Sequence, residues 1–201
     1  MTTTLLPMLN PFVRRGPDPH TLSVSMTGVK LGDRVAFVGV PVAARVAAIA
    51  AKVGLSGRAV ALTPDDEAVA HVNQAAADAG VLVDTKAGTV TRLPFGDGEF
   101  DIAVVDDTGA MLEALNDADR STVVREVART LRPGGRLLVI GGATPTGLAK
   151  LISKVPASPL VLSGGVNQLL AQCGFGIVRT LAEREGLVFV EGLKPRTPVP
   201  R

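Results

Sequence analysis

Aromatic side chains are scarce in this chain of 201 residues, which has six Phe and neither Trp nor Tyr. Surfaces that bind single-stranded nucleic acid or quaternary ammonium groups depend on stacked aromatic rings. The formal net charge is only +2, although the sequence pI is about 9.0, and the basic residues are scattered along the chain. We therefore expect no nucleic-acid partner.

Cysteine and histidine are also rare. The single cysteine, Cys173, excludes an internal disulfide framework and is typical of a reducing compartment. Its neighbours carry no charge that would lower the pKa of the thiol, so we expect a small buried packing residue rather than a nucleophile. The two histidines, His20 and His71, are expected on the surface, and the sequence predicts no metal site.

The chain lacks a long hydrophobic run. Its longest apolar stretch, 35–53, is interrupted by Pro41, Arg45 and Lys52, so no transmembrane helix is expected. The N-terminus has no basic lead and its apolar residues are broken by prolines, unlike a signal peptide. These features predict a cytoplasmic protein.

The amino-acid composition predicts one compact domain. Hydrophobic residues make up 46% of the chain and charged residues 20%, which is typical of a folded chain with an ample core. Residues 1–30 lack periodicity and contain four prolines, so we expect an irregular leader that caps the sheet. The domain is expected over 31–195, and a tail over 196–201.

Apolar runs and helical patterns alternate along the domain. Strands are expected at 34–40, 58–62, 81–85, 101–105 and 136–140. Helices are expected after the first, second and fourth of these strands, ending near residues 53, 79 and 131. Beyond residue 142 the pattern predicts short helices at 146–153 and 165–173, then two strands, to about 181 and at 187–192. The short turn between these last strands predicts an antiparallel hairpin at one edge of a mostly parallel, seven-stranded α/β sheet with three layers.

The stretch 34–53 is the most informative part of the chain. It predicts a buried strand, a tight turn at Gly39 to Val42 and a helix that ends at Gly54, with Arg45 and Lys52 on its polar side. In an open α/β sheet, a nucleotide-like ligand lies at this first turn, because the backbone there can approach the ligand closely. In the run 63–67, a cap, a proline in the first turn and three carboxylates predict the start of the next helix.

Four segments of the sequence resemble a known family when they are taken together. They are TGVKLGDRVAFVG, LPFGDGEFDIAVV at 93–105, VVREVARTLRPGGRLLVI at 123–140 and the closing CGFGIVRTLAEREGLVFVEGLKP. The chain is similar, over roughly 26–195, to class I S-adenosylmethionine-dependent methyltransferases of the type 11 kind. The resemblance implies a Rossmann-like methyltransferase fold, with S-adenosylmethionine as the cofactor if the protein is active.

The resemblance also implies which positions would contact that cofactor. They are Gly39, Val40, Pro41, Thr63, Pro64, Thr89, Val90 and Asp106. The family carries an acidic residue and three alternating glycines in the first strand and turn, where this chain has Phe37, Gly39, Pro41 and Ala43. The acidic residues that hold the ribose and the adenine amine in the family fall on Thr63 and Thr89.

These departures predict a weakened cofactor site. Pro41 offers no amide hydrogen and its ring fills space that a glycine leaves open. Thr63 presents one hydroxyl where a carboxylate would accept two bonds from a ribose diol. With Thr89 included, the loss is on the order of 3 to 7 kcal/mol, against about 8 kcal/mol for a micromolar cofactor. Binding would then be millimolar or absent.

Three functions follow from this pattern. The leading hypothesis is a pseudoenzyme with an eroded cofactor pocket, which acts as a non-catalytic accessory or binding subunit with a protein partner or as a homo-oligomer. The alternative is an active methyltransferase for a small or lipid-like molecule. A third is a cleft that binds another small ligand without turnover. No catalytic residue is identified, because Asp106 is either a base or a turn carboxylate.

Overall fold

A computed structural model describes residues 19–144 and 155–196. The elements in this part of the chain are α1 (Thr21–Thr27), β1 (Arg34–Val38), α2 (Ala43–Val53), β2 (Arg58–Thr63), α3 (Asp66–Ala79), β3 (Asp84–Ala87), β4 (Phe100–Asp106), α4 (Met111–Ala114), α5 (Asp117–Thr130), β5 (Leu131–Gly142), α6 (Pro159–Leu162), α7 (Gly165–Gln172), β6 (Ile177–Arg184) and β7 (Leu187–Leu193). The helix predicted at 146–153 lies outside the described residues. The division into leader, domain and tail stays a prediction.

The seven strands form one sheet in the order β3-β2-β1-β4-β5-β7-β6. The five strands β1 to β5 are parallel to one another, whereas β7 is antiparallel to both β5 and β6. Glu185 and Gly186, which join β6 to β7, both have positive φ angles, as tight hairpin turns require. The predicted α/β fold with its antiparallel C-terminal hairpin is confirmed.

Alternate residues of each central strand pack against different helices. Val35 and Phe37 of β1 lie in an apolar cluster with side chains of α2 and α3, against which α1 also packs. Ala36 and Val38 lie in a second cluster with side chains of α4 to α7. Because successive side chains of a strand point to opposite faces, the sheet is covered on both sides. The three predicted layers are present.

Strand β3 begins three residues later than its apolar run suggests. The prediction placed it at 81–85, but only Asp84–Ala87 pairs with β2. Val81 donates its backbone N–H to the carbonyl of Ala76, which completes the end of α3 at the left-handed Gly80. Val81 therefore finishes the helix, Val81 and Val83 pack on the core, and the polar residues that follow form the strand.

Strand β5 begins earlier than predicted, directly at the end of α5. Leu131 pairs with Phe100, and regular pairing resumes between Arg136 and Ile102. The segment 133–135, expected to precede the strand, is instead an irregularity inside it, with Gly134 at φ 77°. The helix after β2 also differs in detail, because Asp65 is its cap and accepts from Ala68 N at 2.8 Å.

Candidate functional site

A cavity of about 590 Å³ opens where β1, β2 and β4 end. The carboxyl ends of neighbouring parallel strands are where open α/β sheets bind ligands. Its lining comes from the turn after β1, the start of α3, the loop after β3 and the loop after β4. These residues are Gly39, Val40, Pro41, Leu62, Pro64, Ala68, Gly88, Thr89, Val90, Asp106, Gly109 and Met111.

Seven of the eight positions that the resemblance implied lie in this lining, namely Gly39, Val40, Pro41, Pro64, Thr89, Val90 and Asp106. Thr63 is different, because it is fully buried and donates its hydroxyl to the carbonyl of Lys86 at 3.3 Å. Side chains alternate along a strand, so Leu62 faces the cavity while Thr63 lies on the other face. The structure thus brings seven positions together and directs the Thr63 hydroxyl to the neighbouring strand.

The turn after β1 and the end of β4 approach each other closely. Gly39 has φ 71°, and a Cβ on this residue would lie 2.8 Å from the backbone oxygen of Asp106. Gly39 therefore meets a packing requirement of the fold that holds with or without a ligand. The acidic residue of the family's first strand corresponds to Phe37, which is 2% exposed and belongs to the core.

Pro41 packs against the loop after β4 and leaves most of the cavity open. A Cβ on Gly109 would lie 3.1 Å from the Cβ of Pro41. With the pyrrolidine ring in place, a cavity of about 590 Å³ remains. The turn provides one backbone N–H fewer than a glycine would supply.

Among the described residues that line the cavity, Asp106 is the only charged one, and its carboxylate already accepts hydrogen bonds from the protein. One oxygen, Oδ2, accepts from Arg45 Nη1 at 2.5 Å. The other, Oδ1, accepts from the hydroxyl of Thr108 at 2.6 Å and from the Thr108 backbone N–H at 3.1 Å. The bond to the Thr108 amide is that of a turn carboxylate, one of the two roles weighed from the sequence. Both oxygens of Asp106 are occupied by the protein itself.

Arg45 was predicted on the polar side of α2, and this prediction is wrong. The residue is 5% exposed, because the first turn of α2 stands beside the end of β4 and the guanidinium reaches Asp106. Its Nε has no hydrogen-bond partner among the described residues. The sequence did contain a signal, since a basic residue in the first helix and an acidic residue at the end of an adjacent strand meet at one sheet edge.

Asp107 is a second buried carboxylate next to the site. Its Oδ1 accepts from the backbone N–H of Leu112 at 2.6 Å, which caps the short helix α4, while Oδ2 has no partner among the described residues. Burial raises the pKa of Asp107 to about 6, and repulsion from Glu113 and Asp106 adds to this effect. The hydrogen bond to Leu112 gives Asp107 a structural role. Asp107 is not among the residues that line the cavity.

The rest of the cavity wall is mainly apolar. Sequence reasoning missed five of its residues, which are Leu62, Ala68, Gly88, Gly109 and Met111. The cavity offers backbone groups, the Thr89 hydroxyl and the compensated Asp106. The described residues of the lining include no free carboxylate for a ribose diol or for the ammonium of a methionine moiety, so they fit S-adenosylmethionine poorly.

Within residues 19–144 and 155–196, no three His, Cys, Asp or Glu side chains come together in a group that could hold a metal ion. Over the same part of the chain, the helices are too short or too polar to cross a membrane.

Comparisons with known proteins agree with the fold. Residues 38–139, just over half of the chain, match the sequence model of a family described as Methyltransferase domain. Demethylmenaquinone methyltransferase of Mycobacterium tuberculosis is 44% identical over 75 residues, which are 37% of this chain. The chain matches only 30% of that relative's length.

Solved structures are similar to a larger part of this chain than the curated relatives are. A SAM-dependent methyltransferase from Aquifex aeolicus superimposes with a TM-score of 0.68 at 19% identity, covering 88% of this chain and 89% of that one. A (4+2)-cyclase superimposes with a TM-score of 0.63 at 17% identity, covering 88% of this chain and 79% of that one. At these identities the likeness shows the fold alone.

Proposed function

The chain belongs to the methyltransferase-domain family, and from that premise we propose that it is a non-catalytic member whose cavity holds S-adenosylmethionine too weakly for methyl transfer. In this proposal the protein acts as a binding or accessory subunit. Residues 38–139 carry the family's scaffold, whereas the chemistry of a site depends on the side chains placed on that scaffold. Whether this chain binds the cofactor therefore depends on the side chains that line the cavity.

The observation that carries the proposal is the state of Asp106. It is the only carboxylate among the described residues of the lining, and both of its oxygens already accept hydrogen bonds, from Arg45 and from Thr108. A nucleoside ribose normally gains two charge-assisted hydrogen bonds from a free carboxylate, each worth about 1.5 to 3 kcal/mol. Without them, roughly 3 to 6 kcal/mol is missing from the roughly 8 kcal/mol of a micromolar complex.

Isothermal titration calorimetry with S-adenosylmethionine and S-adenosylhomocysteine tests the proposal. We expect dissociation constants in the millimolar range or no measurable heat. The Pro41→Gly variant is the matched control, since it returns a backbone N–H and space to the turn but adds no carboxylate. The dissociation constant of this variant for S-adenosylmethionine should remain above about 100 μM. Low-micromolar binding to the unmodified chain would reject the proposal.

An active methyltransferase for a small or lipid-like molecule is the second candidate. It is favoured by the cavity of about 590 Å³, which Pro41 does not fill, and by the 44% identity over 75 residues to proteins named demethylmenaquinone methyltransferase. Transfer of a radiolabelled methyl group from S-adenosylmethionine to demethylmenaquinone or a related quinone would establish it. Under the first proposal, no label is transferred.

We also propose that the chain associates with a protein partner or with a second copy of itself. Leu31, Leu55 and Leu82 are 75%, 90% and 78% exposed. They precede β1, β2 and β3, so they lie at the amino ends of these strands, away from the cavity. Exposed large apolar side chains that lie together are typical of association surfaces. Light scattering after size-exclusion chromatography should show a dimer or a complex, whereas a monomer in every preparation would contradict this part.

A further inference from the structure

The cavity wall has the chemistry of a site for an uncharged ligand. Pro41 and Pro64 are exposed, and Val40, Val90 and Met111 are half-buried around the same space. Apolar side chains that face a concave space, with a few polar groups among them, are the usual lining of small-molecule sites. The volume of about 590 Å³ lies within the range of about 300 to 1,000 Å³ that such sites occupy.

Within the described part of this wall, Asp106 is the only charged residue. Asp106 is 4% exposed, and Arg45 neutralises its carboxylate. A ligand that brought its own charge would lose its water without gaining an ionic partner, which is costly. A neutral ligand would lose only apolar hydration, which is favourable.

Resting on the proposed function, we propose that the cavity binds a neutral, largely apolar ring compound in place of a charged nucleoside. Two proline rings provide flat apolar surfaces, and the Met111 thioether is a favourable neighbour for an aromatic ring. Thr89, whose side chain carries one hydroxyl that can donate and accept hydrogen bonds, also lines the cavity. These features select a planar ring with one polar edge.

Two naphthalene dyes that differ by one charge test this inference. N-phenyl-1-naphthylamine is neutral, and 8-anilino-1-naphthalenesulfonate is the same ring system with a sulfonate. The chain has no Trp or Tyr, so dye fluorescence can be followed without interference from the protein. The neutral dye should bind with micromolar affinity and the sulfonate at least tenfold more weakly. Equal binding of both dyes, or no binding of the neutral one, would overturn the inference.

Two variants on α3 show whether the dye lies in this cavity. Ala68 lines it, whereas Ala70 is exposed on the same helix outside the lining. A glutamate near the start of this helix is compatible with its fold. Ala68→Glu should weaken binding of the neutral dye at least tenfold, and Ala70→Glu should change it less than twofold. Unchanged binding in Ala68→Glu would place the dye elsewhere and refute the assignment.

The result is separable from the test of the proposed function. Calorimetry with S-adenosylmethionine measures cofactor binding directly, whereas the dye titration measures the preference for an uncharged ring. If S-adenosylmethionine binds tightly, the proposed function fails whatever the dye does. If neither the cofactor nor the neutral dye binds, the proposed function stands and this inference fails.

Discussion

Removal of the Arg45 guanidinium should destabilise the fold strongly, because it would leave the carboxylate of Asp106 buried without its counter-ion. The side chains of both residues are only 6% exposed and their closest atoms lie 2.5 Å apart. Truncating one partner of a buried ion pair costs about 3 to 5 kcal/mol. Thr108 keeps its two bonds to Asp106, so we expect the lower end, about 3 kcal/mol, for Arg45→Met.

Urea unfolding followed by circular dichroism measures this loss, since the chain has no Trp or Tyr to report by fluorescence. With a slope of about 2 kcal/mol per molar urea, the midpoint should fall by about 1.5 M. The matched control is Arg58→Met, which removes an arginine whose side chain is 41% exposed beside Asp84 and Glu99. Exposed pairs contribute up to about 1 kcal/mol each, so the midpoint of this variant should fall by less, at most about 1 M.

A double substitution separates loss of the pair from loss of packing. Arg45→Met combined with Asp106→Leu removes both charges, and apolar replacement of a buried pair is often close to neutral. We expect the double variant to recover most of the stability lost in Arg45→Met. A loss below about 1 kcal/mol in the single variant, or no recovery in the double variant, would refute the reasoning.

Two further predictions concern the same end of the sheet. Because burial raises the pKa of Asp107 from 3.8 to about 6, the folded chain binds this proton more tightly than the unfolded chain, and its stability should fall as the pH rises from about 4 to 6. Asp107→Asn should therefore gain about 3 kcal/mol over the unmodified chain above pH 6 and nothing below pH 4, and a difference independent of pH would contradict this assignment. Gly39 and Gly80 both have positive φ, but only at Gly39 would a Cβ meet a backbone oxygen, at 2.8 Å. Thermal unfolding should show a loss of about 1 to 2 kcal/mol for Gly80→Ala and a clearly larger one for Gly39→Ala, and equal losses would rule out the close contact.

The central strands could be predicted from the sequence because their signal is strong. β1, β2 and β4 are covered on both faces and are therefore continuous apolar runs, and their predicted ends fall within two residues of the observed ones. The edge strand β3 is polar, so the preceding apolar residues were assigned to it although they finish α3. The one-turn helices α4 and α6 have too few residues to show a periodicity.

The cavity could be placed from the sequence, but its charge pattern could not. The order of strands and helices was enough to bring the turn after β1 to the loops after β3 and β4. Whether Arg45 faced solvent or Asp106 depended on the exact rotation of α2, which a mostly apolar helix leaves open. The direction of the Thr63 hydroxyl depended in the same way on the register of β2.

Met111 is a flexible side chain in the cavity wall, whereas the floor of the cavity, formed by the ends of the central strands, is rigid. The floor consists of strand ends that are hydrogen-bonded to one another in the middle of the sheet, so its shape changes only if the sheet itself distorts. Met111 stands on a one-turn helix, and its unbranched side chain rotates about three bonds. Compounds of different width could thus occupy the same space through rotation of a single side chain, which makes this cavity suited to a group of related molecules rather than to one.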